Sequence, residues 1–435
     1  MLVDWDLRHV WHPFTQMQSW PDDQPVIIQS AEGHYLIDDL GRRYFDGVSS
    51  LWVNVHGHRK KEIDDAIRAQ LNQVAHSTLL GLASIPSIEL AHRLVSLSPE
   101  GLNRVFYSDS GSTAVEVALK IAFQYWKQKG RPEKREFVAL QEAYHGDTLG
   151  AVSAGGIDLF HNIFHPLLFP VRRIPSPGAP ARATAEGFAH CLETAEQLFE
   201  KEHARLAALI IEPLVQGAAG IWVHPPGYLT ALSELCRRYD VLLICDEVAT
   251  GFGRTGSLFA VEQEDVRPDL LCIAKGLTGG YLPLAATLAT DSVFSAFLGS
   301  VDEKKTFFHG HTYTGNPLAC AAALANLALF ESEQTLKRMK PTVEAFKDGW
   351  IKVRQMKQVS DVRQRGLMMG IELKDPAGKR LAFQVCQALR DEGILLRPLG
   401  NVVVVMPPLS TRIEEAQWIA SSVGQAIEKV SRGEK

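Results

Sequence analysis

At 435 residues the chain is long enough for two domains of ordinary size. Hydrophobic residues make up 46% and charged ones 22%, which groups it with globular proteins and away from disordered or fibrous chains. A formal net charge of −5 leaves no basic surface to follow a phosphate backbone, so nucleic acid is not expected as a principal partner.

The N-terminal stretch MLVDWDLRHVW has no basic segment followed by an apolar one. The most apolar stretch, around Leu206 to Val223, is interrupted by Glu212 and Gln216. A cytoplasmic protein without a membrane span is the expectation. The six cysteines, spread from Cys191 to Cys386 without a C-x-x-C pair, form neither a zinc pattern nor a disulfide framework.

Residues 1–60 read as short strands, and with residues 331–435 they are expected to build a smaller α/β domain; residues 61–330 form the larger one. In that larger part, apolar runs at Arg104–Tyr107, Glu136–Leu140, Leu206–Ile211, Val241–Cys245, Leu270–Ala274 and Leu284–Ala289 alternate with helical patterns. The rhythm predicts an α/β fold with a mostly parallel sheet covered by helices. Val115, Leu119, Ala122 and Trp126 place a helix over 112–129, and the Pro- and Ala-rich segment Pro175–Ala185 reads as an exposed connection.

Three of the runs end in groups that can do chemistry, at the strand ends where open α/β sheets bind ligands. Ser110-Gly111-Ser112 opens the predicted helix with hydroxyls, a small residue and free backbone N–H groups, a cradle suited to an anion such as phosphate. Asp246 closes another run, where a carboxylate can hold a protonated pyridine nitrogen. Lys275 follows a third and supplies an amine able to bind a carbonyl cofactor covalently and then carry a proton. Each has a plainer reading: a helix cap, an ion-pair partner for an arginine such as Arg254, a solvated lysine. Their combination, together with the aromatic face of Tyr144 in Ala143-Tyr144-His145-Gly146-Asp147, favours an amine-transfer site.

Two patterns are set aside. Gly251-Phe252-Gly253-Arg254-Thr255-Gly256 matches G-x-G-x-x-G, but it follows an Asp-Glu pair and opens no long helix. His56/His58 and His309/His311 have no carboxylate or cysteine at diagnostic spacing, so no metal is expected.

The segments I-I-E-P-L-V-Q-G at 210–217, L-L-I-C-D-E-V-A-T-G-F-G-R-T-G at 242–256 and A-K-G-L-T-G-G at 274–280 resemble the subgroup III, fold-type I aminotransferases over nearly the whole chain. The resemblance implies pyridoxal 5'-phosphate carried on Lys275, with Asp246 at its pyridine nitrogen. W-H-P-F-T-Q-M at 11–17, S-S-L-W-V-N-V-H-G-H at 49–58, A-Y-H-G-D-T-L-G at 143–150, F-F-H-G-H-T-Y-T-G-N at 307–316 and R-P-L-G at 397–400 are similar to the diaminopelargonate-forming branch of biotin synthesis. That similarity implies 8-amino-7-oxononanoate as acceptor, with S-adenosylmethionine or, alternatively, lysine as donor. It further implies substrate contacts at Phe14, Trp52, Tyr144, Gly310 and Arg397, and cofactor contacts at Ser110, Gly111, Ser112, His311 and Thr312. A homodimer with shared sites is also implied, Thr312 reaching the neighbouring subunit's phosphate. Phe14 and Leu51 stand where S-adenosylmethionine-using members carry a tyrosine and a second tryptophan. A transaminase for ω-amino acids such as 4-aminobutyrate, ornithine or β-alanine, and a non-catalytic cofactor-binding protein, are the competing readings.

Overall fold

The computed structural model describes residues 1–23 and 25–433. Seven strands make the main sheet: β1 (Leu102–Ser108), β2 (Glu136–Leu140), β3 (Val171–Ile174), β4 (Leu206–Ile211), β5 (Leu242–Asp246), β6 (Leu270–Ile273) and β7 (Ala285–Thr290). Their order is β1-β7-β6-β5-β4-β2-β3, and β7 runs antiparallel to both of its neighbours while the other pairings are parallel. The apolar runs are continuous because the central strands are covered on both faces. Leu243, Cys245, Leu271 and Ile273 face one core, whereas Leu242, Ile244, Leu270 and Cys272 face the other. The fold class is the expected one, a mostly parallel sheet with helices on both sides.

Helix α1 (Gly111–Gln128) follows β1 and buries Ala114, Val115, Ala118 and Ala122 against the sheet. It starts where the sequence places it because Ser110 caps it reciprocally: the Ser110 hydroxyl accepts from Thr113 N–H, and the Thr113 hydroxyl accepts from Ser110 N–H.

Two smaller sheets bring the chain ends together. Ile28–Glu32, Tyr35–Asp38 and Arg43–Asp46 form an antiparallel set whose last strand pairs in parallel with Ile394–Leu395. Val359–Arg365, Met368–Leu373, Val402–Val405 and Arg397–Leu399 make the other.

Two features differ from the expectation. Strand β3, Val-Arg-Arg-Ile, has too little apolar character to announce itself; it is an edge strand whose Arg172 reaches Glu136 on β2 at 2.8 Å. Pro175–Ala179 is buried, not exposed, since Tyr228 donates its hydroxyl to Pro175 O and Gly178 lies against Trp222 and His224. Only the residues beyond it surface.

Candidate active site

A cavity of about 480 Å³ opens at the carboxyl ends of the parallel strands. Asp109 and Ser110 enter it after β1, Tyr144 and His145 after β2, Glu212 after β4, Asp246 from β5 and Lys275 after β6.

Lys275 leaves its strand abruptly. Ala274 is extended at φ −162, and Lys275 takes a left-handed φ of 46, which turns its side chain into the cavity. Its Nζ lies 4.5 Å from the centroid of the Trp52 ring. Burial lowers its pKa to about 8; Asp246 and Glu212 pull it upward and Arg254 pushes it further down.

Asp246 is buried and accepts from Val248 N–H at 3.0 Å, and its other oxygen meets His145 Nδ1 at 2.7 Å. The alternative partner, Arg254, is engaged elsewhere: it donates to Pro407 O at 2.6 Å and Asn54 O at 2.7 Å. Glu247 faces the opposite way, accepting from Ala260 N–H and Val261 N–H at 2.8 Å each, and so anchors the turn around the G-x-G-x-x-G segment. Glu212, in sequence only an interruption of an apolar run, lies in the wall. It accepts from Gly217 N–H at 2.9 Å and Tyr144 N–H at 3.2 Å. Burial raises its pKa to about 7; His145 and the two N–H groups oppose the shift, and Asp246 adds to it.

The start of α1 forms the anion corner. A Cβ on Gly111 would lie 2.5 Å from a methyl of Val248, and one on Gly146, at φ +118, would lie 2.0 Å from Ser112 Oγ. Tyr144 spans the neighbouring wall, its hydroxyl donating to Asp147 Oδ2 at 2.7 Å while burial pushes its pKa well above the usual phenol value. These residues fit pyridoxal 5'-phosphate by their chemistry. The corner offers backbone donors at a helix N-terminus to a phosphate, Asp246 offers a buried carboxylate to a ring nitrogen, and Lys275 offers an amine to a carbonyl. The buried His145 Nε2 has no partner among the described residues, so a polar acceptor or donor is still wanted there.

Phe14, Trp52 and Arg397 close the outer side. Phe14 meets Phe160 edge-on at 5.3 Å, and Phe160 meets Tyr144 at 6.4 Å. Trp52 ends an unusual turn: Ser49, Ser50, Leu51 and Trp52 have φ values of 50, 57, 113 and 69. None is glycine, so each is held at a cost on the order of 1–3 kcal/mol by its surroundings. Arg397 is exposed at the mouth and has no acidic partner among the described residues.

Nine of the residues singled out from sequence therefore share one cavity: Phe14, Trp52, Ser110, Gly111, Ser112, Tyr144, Asp246, Lys275 and Arg397. Gly310, His311 and Thr312 stand apart from it. Gly310 and Thr312 are exposed, and His311 Nδ1 lies 2.9 Å from Oδ2 of Asp109, which lines the cavity.

A profile of the aminotransferase class-III family matches residues 17–427. The chain belongs to the class-III aminotransferases. It is 49% identical to the adenosylmethionine-8-amino-7-oxononanoate aminotransferase of Geobacter sulfurreducens, covering 99% of this chain and 98% of that one. The crystal structure of the protein so named from Methanocaldococcus jannaschii superposes with a TM-score of 0.94 at 43% identity, over 98% of each chain. An amine transaminase from an uncultivated Pseudomonas species, crystallised in its PLP-bound form, gives a TM-score of 0.92 at 35% identity, over 97% of this chain and 99% of that one. As a class-III aminotransferase the chain is an enzyme.

Proposed function

We propose that this aminotransferase uses pyridoxal 5'-phosphate to move an amino group from S-adenosylmethionine to 8-amino-7-oxononanoate, giving 7,8-diaminononanoate for biotin synthesis in the cytoplasm. The observation that carries the reading is the convergence of a depressed-pKa lysine, a His145-held carboxylate and an exposed arginine on one cavity. When bound, the cofactor supplies an electron sink that makes the carbon bearing an amine acidic.

The protein's own groups do the rest. Lys275 would hold the cofactor through its amine and, once freed, would serve as the base that removes the proton from the donor's amine-bearing carbon in the first half-reaction and as the acid that protonates the acceptor carbon in the second. Its pKa of about 8 keeps a usable fraction of free base at neutral pH. Asp246 would present its carboxylate to the ring nitrogen, because His145 and Val248 N–H orient it. The α1 N-terminus with Gly111 and Ser112 holds the phosphate. Arg397 receives the far carboxylate of the acceptor, and Phe14 and Trp52 flank its aliphatic chain and exclude water. Gly310, His311 and Thr312 contribute from a second copy of the chain, so the working unit is a homodimer in which the smaller unit of residues 1–60 and 331–435 presents Trp52 and Arg397 to the larger.

The test is an absorbance spectrum of the cofactor-supplemented protein, followed by S-adenosylmethionine and lysine in separate additions and then the keto acid. Loss of the cofactor's visible band with S-adenosylmethionine, and diaminononanoate on adding the acceptor, is expected. A response to lysine alone replaces the donor. Turnover with pyruvate but not with the keto acid replaces the acceptor, and no band in the supplemented protein removes the reading.

A further inference from the structure

We propose that Asp46, outside the cavity, is a positioning residue that clamps the left-handed turn Ser49–Trp52 and so holds the Trp52 ring over Lys275. The proposal concerns the placement of Trp52, and its kinetic consequence rests on the function proposed above.

Asp46 ends the strand Arg43–Asp46 and is buried. Its Oδ1 accepts from Ser50 N–H at 2.7 Å, and its Oδ2 accepts from the Ser50 hydroxyl at 2.7 Å and meets His58 Nε2 at 2.9 Å. The carboxylate thus ties down the middle of a turn whose four residues all have positive φ without being glycine. Such a conformation relaxes unless its surroundings hold it. Two more ties come from the smaller unit: Ser49 donates its hydroxyl to Met406 O at 2.8 Å, and Met406 N–H donates to Gly47 O at 2.8 Å. The backbone closes the turn through Leu51 N–H and Trp52 N–H, which donate to Val48 O at 3.2 and 2.8 Å, and the Asp46 bonds add a side-chain tie at the exposed Ser50.

The output of the turn is the position of Trp52. Its side chain lies against Gly217, where an added Cβ would stand 3.1 Å from the ring, and Lys275 Nζ lies 4.5 Å from its centroid on the cavity side. Asp46 also pairs in register with Leu395, two residues before Arg397. One carboxylate therefore sits where the aromatic wall and the arginine-bearing strand meet, and fixes the distance between the two ends of the substrate cleft.

A carboxylate that accepts three bonds from two residues is poorly replaced by an amide, which brings a donor to face donors. Asp46→Asn should let the turn relax and expose Trp52, which in the parent is 8% exposed. In the full-length protein, acrylamide quenching of tryptophan fluorescence should rise in Asp46→Asn, and the rise should vanish when Trp52→Phe is also present. In the holoenzyme, kcat/KM for the keto acid should fall about tenfold through KM, the size expected for bonds to a charged group. Trp52→Ala should fall further, and the double variant should match Trp52→Ala alone within about twofold, because both changes act through the same ring.

Unchanged quenching, a rise that persists without Trp52, or losses that multiply in the double variant would overturn the assignment. Ser50→Ala removes one bond from an exposed side chain and repeats both measurements at about a threefold loss if Asp46→Asn does not fold. If the parent fails to turn over the keto acid, the function proposed above falls, while the quenching result still decides whether Asp46 holds Trp52.

Discussion

The depressed pKa of Lys275 has a consequence that can be measured before any substrate is known. A lysine at its ordinary value of 10.5 offers only about 0.03% free amine at neutral pH, whereas one at about 8 offers about 10%, roughly a 300-fold gain in nucleophile. Capture of pyridoxal 5'-phosphate by the cofactor-free protein should therefore accelerate with pH and level off above a midpoint near 8. The appearance of visible absorbance after rapid mixing, from about pH 6 to about pH 10, reports it, with Lys275→Ala as the blank. Asp246 is the largest group pulling this pKa upward, so Asp246→Asn should move the midpoint to lower pH even though it weakens retention of the ring. A midpoint near 10.5, or one that moves upward on loss of Asp246, would refute both the burial argument and the place of Asp246 beside the amine.

The same shift enters stability with a defined sign. A lysine whose pKa is depressed by folding costs stability wherever it is charged in the unfolded chain, so the penalty is absent above about pH 10.5 and complete below about 8. Lys275→Met should abolish turnover yet stabilise the cofactor-free fold at neutral pH by at most about 3 kcal/mol in urea unfolding, the gain shrinking toward pH 10.5. Arg397→Met removes an exposed guanidinium from the mouth of the cleft and should raise KM for the keto acid about 10- to 100-fold in steady-state assays, with kcat changed far less. Burial pushes the Glu415 carboxyl upward, but bonds to the His34 ring and Arg412 outweigh it and hold the pKa at about 2. That contribution is present above about pH 4.5 and lost as pH falls through about 2. Glu415→Gln should therefore cost up to about 3 kcal/mol in urea unfolding at neutral pH and progressively less on acidification.

What could be read from sequence follows from how directly each feature is encoded. Strands β4, β5 and β6 are buried on both faces, so each appears as an unbroken apolar run, and the polar residue that ends or follows it lands at the ligand-binding edge. Asp246 and Lys275 were legible for that reason. Strand β3 was not, because an edge strand can carry two arginines and still pair. Glu212 was hidden because nothing in I-I-E-P distinguishes a carboxylate capped by two backbone N–H groups from an ordinary surface acid. The left-handed turn at Ser49–Trp52 is the extreme case. Without a glycine the sequence offers no sign of positive φ, and the force that maintains it comes from Asp46 and from Met406, more than 350 residues downstream of Ser49.

The segment around Thr312 makes the strongest demand on a partner. It is not loose: Gln124 donates to Thr306 O, Gln128 to Lys305 O, Lys120 meets His309, and Phe307 packs edge-on against Phe106 at 5.3 Å, so α1 holds it from behind. Yet Phe308 is 82% exposed and Tyr313 60% exposed, and Thr312 between them is exposed and does not line its own cavity. A firmly anchored loop that presents two large aromatic side chains to water fits one covered by another protein surface, and the proposed homodimer supplies that cover. Phe308→Asp should then convert the dimer to monomer in sedimentation velocity and lower affinity for pyridoxal 5'-phosphate at least about tenfold, although Phe308 does not line the cavity. A monomeric variant that binds the cofactor as tightly as the parent would mean that one chain completes its own phosphate site, and would remove Thr312 from it.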